Sequence, residues 1–385
     1  MDAAPIYLDY NATTPVDPGV LEAMLPYLRN HFGNPSSQHR YGQEVRAAII
    51  QARSEVARLI GAQPDEILFT SGGTESTNHA LKGAATAALD RGEPAHRQVV
   101  VSAIEHPATL EAAGALKRFG FAVRTIGVDR HGVLDLCELS SVLREPTLLV
   151  SLMHANNETG TLQPIASAAT LVRAAGALLH VDAAQSAGKV RVDVGALGAD
   201  LLTLAGHKVY APKGVGALFI RRGVELQPLI HGAGQEGGRR AGTENVPYIV
   251  ALGAACRIAH DSLASSAQRM QSLRDRLWTN LRENLGEKAL LNGHPDECLP
   301  NTLNVSFIGT IGAELLAALP QIAASTGSAC HDGRVTISPV LQAMGIDPDV
   351  ARGAVRFSLG RHSSQADVDR AAAIVTEYLA RVPQT

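Results

Sequence analysis

The stretch Leu201 to Gly216, LLTLAGHKVYAPKGVG, is an apolar run that ends in Gly206-His207-Lys208 and then turns through glycine and proline. A lysine at the end of a buried strand has an ordinary role, which is to carry its amine out to solvent. Against a carbonyl group in an apolar site, the same amine loses pKa and forms an imine. Lys208 is therefore the first candidate for covalent chemistry, and Cys330 is the second. Cys330 closes the segment AASTGSAC. A buried cysteine is usually a small hydrophobe. A thiol in a loop rich in Gly, Ser and Thr can instead be exposed and movable, and with a lowered pKa it becomes a nucleophile.

Other residues gain sense beside these two. The strand-like EILFT runs into Ser71-Gly72-Gly73-Thr74 before a helix. Glycines let a backbone approach an anion, helix N-terminal N–H groups point at it, and Thr74 adds a hydroxyl. The alternative is a plain N-capped turn. His180-Val181-Asp182-Ala183-Ala184-Gln185 puts a carboxylate at a strand end. Asp182 either caps a helix or keeps a pyridine nitrogen protonated so that the ring accepts electrons, with Gln185 in reach of a ring hydroxyl. His106, in Glu105-His106-Pro107, is a loop histidine or one that stacks on a flat ring and shuttles protons. His207 is a packed histidine or a phosphate contact. Asn157 lies in the polar turn HANNETG, and Arg356 in VRFS is a structural ion pair or a bidentate clamp on a carboxylate. Each ordinary reading stands alone. Together, an anion cradle, a ring-nitrogen acid, an imine-forming lysine, a carboxylate clamp and a thiol point to an enzyme.

The elements that must carry these residues are legible as alternation. Strand-like runs at Gln98–Ser102, Ala122–Ile126, Leu148–Leu152, Leu178–Val181, Leu201–Ala205 and Gly216–Ile220 alternate with helical stretches at Pro107–Arg118, Leu136–Leu143 and Ile165–Ala175. This predicts an α/β fold with a mostly parallel sheet between helices, whose ligands bind at the carboxyl ends of the strands. Val45, Ile49, Ala52, Val56 and Leu59 predict an amphipathic helix over Tyr41–Ile60. An Ala-rich helix at Tyr248–His260 precedes a second one carrying Met270, Leu273, Leu277, Leu281 and Leu285, which bridges to a smaller unit. That unit has strands at Thr302–Ile308 and Val355–Leu359 and a last helix opened by Ser364-x-x-Asp367.

The chain has 385 residues, 45% of them hydrophobic, enough for one large and one smaller domain. A net charge of −3 gives no reason to expect nucleic acid or a membrane surface. No long uncharged apolar run and no signal-peptide pattern is present. Cys137, Cys256, Cys298 and Cys330 are scattered without a CxxC pair, so neither a disulfide framework nor a metal site is expected, and a reducing cytoplasm fits.

At these residues the chain resembles the cysteine desulfurases, pyridoxal 5'-phosphate (PLP) enzymes of aminotransferase fold type I within the class V aminotransferases. The stretches that carry the likeness include YLDYNATTP, FGNPSS, EILFTSGGTES, ANNETGTLQPI, HVDAAQSAGK, GHKVYAPKGVG, RRAGTENV, TGSAC and VRFSLGR, and they run from Ile6 to the final helix. The resemblance implies a large PLP-binding domain over residues 14–260 and a small domain of residues 1–13 and 261–385 carrying the catalytic cysteine. It implies that Lys208 holds PLP as a Schiff base, that Gly73, Thr74 and His207 bind its phosphate, and that Asp182 pairs with the pyridinium. Gln185 would contact the ring oxygen, and His106 would stack on the ring and move protons. Asn157 and Arg356 would contact cofactor and substrate, with Arg356 on the amino acid carboxylate. Thr243 would reach the phosphate in a partner subunit, hence a homodimer. Cys330 would take sulfur from L-cysteine as a persulfide, leaving alanine, and pass it to an acceptor protein for iron–sulfur assembly or tRNA thiolation.

Two positions depart from the pattern. Ala205 stands where many relatives have a serine whose hydroxyl would bind phosphate, and Cys330 is followed by His331-Asp332-Gly333 in place of Thr-Ser. The second resembles selenocysteine lyases, which keeps L-selenocysteine open as substrate. A PLP aminotransferase, which would not need Cys330, and a non-enzymatic nucleotide-binding α/β domain are the remaining alternatives.

Overall fold

The computed structural model describes residues 4–92, 97–326 and 337–381. Its centre is a seven-stranded sheet. Across it the strands run Ile67–Thr70, Gly216–Ile220, Leu201–Ala205, Leu178–Asp182, Thr147–Met153, Gln98–Ser102 and Ala122–Ile126. All neighbours are parallel except Gly216–Ile220, which is antiparallel to both strands it touches. The predicted parallel sheet is therefore present with one reversed strand. The reversal has a use. Gly216 pairs with both Thr70 and Ala205, at the carboxyl ends of the neighbouring strands. A Cβ on Gly216 would lie 2.7 Å from Gly72 Cα and from the Leu204 carbonyl, so only glycine lets the Gly72 turn settle there.

Burial explains the sequence pattern. The central strands Thr147–Met153 and Leu201–Ala205 are buried throughout, as a sheet covered on both faces requires. One face carries a large cluster built on Val45, Ile49, Val56, Val100, Val150 and Leu252. The other packs Leu81, Ala84, Ala88 and Leu116 against Leu68, Val99 and Leu218. The helix at Arg40–Ile60 buries the predicted stripe Val45, Ile49, Ala52, Val56 and Leu59.

The helices expected at Tyr248–His260 and from Met270 are one continuous helix, Val246–Leu285, of 40 residues. No proline or glycine interrupts the stretch between the two apolar patterns, so nothing stops the backbone hydrogen bonds. Its first half packs on the large cluster, with Gly253 against Ala52, where a Cβ would come within 2.5 Å of Ala52 Cα. Its second half supplies Leu273, Leu277 and Leu281 to a separate cluster with Leu8, Val305, Phe307, Phe357 and Val375. That cluster lies on an antiparallel sheet ordered Ala354–Ser358, Thr302–Phe307 and Ala289–Asn292. Ile6–Tyr7 pairs in parallel with Ile322–Ala323, which ties the N-terminal segment to this side. The last helix, Gln365–Arg381, opens as expected: the Ser364 amide donates to Asp367 Oδ2 at 2.9 Å and the Asp367 amide to Ser364 Oγ at 3.1 Å.

Candidate active site

A cleft of about 410 Å³ opens at the carboxyl ends of the parallel strands and is closed on the far side by the N-terminal segment and by Arg356 of the small sheet. Gly73, Thr74, His106, Asn157, Asp182, Gln185, His207, Lys208 and Arg356 all line it. Nine residues marked by chemistry alone thus converge on one cavity. A larger cleft of about 600 Å³ beside Thr310 has no lysine or histidine on its wall. Chemistry, and not volume, locates the site. Thr243 is exposed and is absent from this wall. Cys330, with the His331-Asp332 that follows it, lies outside the described residues.

Lys208 leaves the Leu201–Ala205 strand through one turn of 3₁₀-helix, Gly206–Lys208. Its Nζ donates to the carbonyls of Asn11 at 2.5 Å and Ala12 at 2.8 Å. Burial, and secondarily the Arg356 charge, bring its pKa down to about 8, against the opposing pull of Asp9 and Asp182. A useful fraction of the amine is therefore neutral near neutral pH.

Asp182 ends its strand buried, and its Oδ1 accepts the Ala184 amide at 2.9 Å. Burial pushes its pKa up, while that hydrogen bond and the His106 and Lys208 charges pull it back. Behind it runs a buried chain of polar groups. His180 Nδ1 meets Ser151 Oγ at 2.7 Å, His180 Nε2 meets Thr203 Oγ1 at 2.9 Å, and Thr203 Oγ1 meets Thr77 Oγ1 at 3.2 Å. Burial lowers the His180 pKa to about 3, so the ring is a neutral spacer that locks three strands and one helix under the cleft.

His106 satisfies its ordinary reading and leaves the chemical one open. It caps the helix Pro107–Leu116, with Nδ1 accepting the Ala108 amide at 3.1 Å. That fixes the ring and leaves Nε2 as the atom able to exchange a proton. Burial lowers its pKa, with Asp182 opposing. His207 lies with Nδ1 at 3.2 Å from Thr13 Oγ1, and burial together with Lys208 takes its pKa to about 4.

The anion cradle is the N-terminus of the helix Gly73–Asp90, where Gly72 takes φ of 153°. A Cβ on Gly73 would sit 3.2 Å from Ala205 Cβ, so the glycine keeps this corner open. Glu75 turns away from the cradle. Its Oε2 accepts the Ser71 amide at 2.8 Å, and its Oε1 pairs with Arg240 at 2.9 Å.

Sequence reasoning missed the residues that hold this wall together. Asn11, only 1% exposed, accepts at its side-chain oxygen from Lys189 Nζ at 2.9 Å and Asn301 Nδ2 at 3.1 Å. Its own amide donates to Thr302 Oγ1 at 2.8 Å and the Asn157 carbonyl at 3.2 Å. Asp9 takes Arg356 Nη2 at 2.7 Å. Glu105 accepts from Ser102 Oγ at 2.6 Å and the Met153 amide at 2.8 Å, and burial raises its pKa to about 8. Read locally, Asn11 looks like a turn residue and Lys189 like a surface lysine.

Comparisons with known proteins place the chain in a family. The family described as aminotransferase class-V matches residues 6–371. The chain is 43% identical over 383 residues to the cysteine desulfurase IscS of Escherichia coli O139:H28, covering 98% of this chain and 93% of that protein. The same identity and coverage hold for the cysteine desulfurase IscS of Klebsiella pneumoniae strain 342. Among solved structures, a NifS-like protein superposes with a TM-score of 0.91 at 40% identity, over 98% of this chain and all of that one. DndA from Streptomyces lividans superposes with a TM-score of 0.76 at 39% identity, covering 94% of this chain and 99% of the other. On this full-length match, the chain belongs to the class-V aminotransferase family.

Proposed function

We infer that this protein is a pyridoxal-phosphate-dependent cysteine desulfurase that converts L-cysteine to L-alanine and transfers the sulfur. The observation that carries the reading is a lysine of lowered pKa, a buried aspartate and a glycine-opened helix N-terminus sharing one cleft. These donors fit a phosphorylated pyridine aldehyde: Gly73, Thr74 and His207 for the phosphate, Asp182 for the ring nitrogen, Gln185 for the ring oxygen, Lys208 for the aldehyde. When bound, that cofactor supplies a carbonyl that captures amino groups and a protonated ring that withdraws electrons.

The chain's own residues supply the rest. The lowered pKa of Lys208 lets its amine act as a base towards the substrate Cα proton. The Asp182 carboxylate holds the proton on the ring nitrogen. His106 offers Nε2 as donor or acceptor from a fixed ring. Arg356, with Asn157 beside it, takes the substrate carboxylate. The Cys330 thiolate attacks the substrate sulfur, the carbon–sulfur bond breaks, and the carbon left behind accepts a proton to become alanine.

The same reading assigns Thr243 to the site of a partner subunit in a homodimer and an acceptor protein to the persulfide, as in iron–sulfur cluster assembly or tRNA thiolation. Its exposure outside its own cleft supports the first assignment. The two apolar clusters spanned by the Val246–Leu285 helix support a division into residues 14–260 and residues 1–13 with 261–385. No helix among the described residues is long and apolar enough to cross a membrane, and the cysteine pattern supports a cytoplasmic setting.

Replacement tests the reading. Lys208→Ala should lose the visible absorbance of the bound cofactor. Cys330→Ala should keep that absorbance and stop sulfide release from cysteine. Unchanged sulfide release from Cys330→Ala would remove the persulfide step.

A further inference from the structure

We propose that Lys189 is a positioning residue of the active site: its amine fixes the side-chain amide of Gln185 so that only N–H is offered to the cofactor. The inference rests on the reading that Gln185 faces the cofactor ring oxygen.

The orientation of both amides follows from partners that cannot change role. Gln185 Nε2 lies 3.0 Å from the Asn11 backbone carbonyl, which only accepts, so that atom is the nitrogen. Gln185 Oε1 therefore faces Lys189 Nζ at 2.9 Å. Asn11 is fixed in the same way. Its Nδ2 meets the Asn157 carbonyl, and its Oδ1 meets Asn301 Nδ2, whose own second partner is the Leu359 carbonyl at 2.9 Å. Lys189 Nζ gives its second proton to Asn11 Oδ1 at 2.9 Å. One amine thus holds two amides, each with its oxygen on an N–H and its nitrogen on a carbonyl.

These two amides build the wall that matters. The Asn11 carbonyl that receives Gln185 also receives Lys208 Nζ. Gln185 has one N–H on that carbonyl and one left, on a side chain that lines the cleft. With its oxygen held by Lys189, Gln185 can only donate towards the cofactor, which suits an anionic ring oxygen and rejects a hydroxyl that needs an acceptor.

Lys189 reaches this place because the chain turns at Gly188, with φ of 74°. A Cβ there would crowd Ala259 and Val209 at 3.2 Å. The lysine is 6% exposed, and burial with the nearby Lys208 and Arg356 charges lowers its pKa well below the usual value. Two protons suffice for its two acceptors, so the arrangement survives loss of the charge. A lysine placed to reach solvent would not be enclosed in this way.

The test uses the pH midpoint of the visible absorption of the cofactor-loaded enzyme, with melting temperature as the control for the fold. Lys189→Met keeps the bulk and removes both donors. It should move the midpoint in the same direction as Gln185→Ala, by about half a pH unit or more, which is roughly a threefold change in proton affinity. The double variant should move it no further than Gln185→Ala alone, because Lys189 acts through Gln185. A midpoint unchanged in Lys189→Met while Gln185→Ala moves it overturns this inference alone. A midpoint unchanged in both overturns the placement of Gln185 as well. If Lys189→Met does not fold, Lys189→Gln, whose side chain is one atom shorter and so draws its N–H groups back from the two acceptors, should still move the midpoint, and a wild-type value overturns the proposal.

Discussion

Arg356 pairs through Nη2 with Asp9 at 2.7 Å, while its Nε, buried, has no hydrogen-bond partner among the described residues. Nη1 is held by the Asn157 carbonyl at 2.9 Å. The guanidinium is thus aimed from two sides, and Nη1 and Nη2 each keep a second N–H on a side chain that lines the cleft. Its strand, Ala354–Ser358, is antiparallel to Thr302–Phe307, and Arg356 faces Asn304 in register, so the aim comes from the small sheet.

This predicts a specificity effect and not a folding effect for Arg356→Lys. A lysine can keep one of these contacts but cannot present a planar pair of donors to a carboxylate. KM for cysteine should rise roughly 10- to 100-fold with kcat changed by less than about threefold, because the lost contact exists in ground and transition states alike. Steady-state kinetics decide it. An equal fall in kcat with constant KM would mean that Arg356 acts on the reacting atoms instead.

Glu105 carries a pH prediction. Its folded pKa of about 8 lies above the ordinary value of 4.5, because burial opposes its charge more than Ser102 and the Met153 amide support it. Between these values the folded chain keeps a proton that the unfolded chain has released, so stability falls as pH rises through the window, by at most about 5 kcal/mol. Glu105→Gln cannot ionise and should not show this fall. Melting temperatures at pH 6 and pH 9 should diverge in favour of the variant at the higher pH. Parallel curves would show that Glu105 does not titrate there.

Asn11 is predicted to be structural in energy and catalytic only through what it holds. Asn11→Ala strands the Asn301 amide, one proton of Lys189 and Thr302. Unmade buried hydrogen bonds cost about 1–3 kcal/mol each, and partial rearrangement should leave a loss of about 2–4 kcal/mol. Denaturant titration measures it. A loss below about 1 kcal/mol would mean that the wall rebuilds without Asn11.

Ala205 offers a gain. It lines the cleft beside Gly73. Ala205→Ser places a hydroxyl at the anion cradle, and one further hydrogen bond to a charged group should tighten cofactor binding about fivefold or more. Reconstitution of the apoprotein at graded cofactor concentrations reads the change. Weaker binding would show that this corner does not face the phosphate.

What the sequence disclosed follows from distance along the chain. Lys208, Asp182 and Gly73-Thr74 each sit at the junction of a strand and a turn, so their setting is written in the ten residues around them. The same holds for the Arg40–Ile60 helix and for the Ser364–Asp367 cap. Asn11 was not legible, because its contacts with Lys189 and Asn301 join segments 178 and 290 positions apart, and Lys189, although it also reaches Gln185 close by in the chain, is enclosed by that distant Asn11. No local pattern distinguishes a buried lysine from a surface one. The reversal of Gly216–Ile220 was hidden for a related reason: an apolar run states burial and not direction.

In the proposed reaction Lys208, Asp182 and Cys330 act together to remove sulfur from cysteine. The direct measurement is incubation of the purified, cofactor-loaded protein with L-cysteine, and in parallel with L-selenocysteine, followed by quantification of alanine, sulfide and selenide with and without a thiol acceptor. Alanine is expected from L-cysteine, with sulfide in equal amount once the acceptor is present. Pyruvate in place of alanine, or turnover of selenocysteine with no reaction of cysteine, would contradict it.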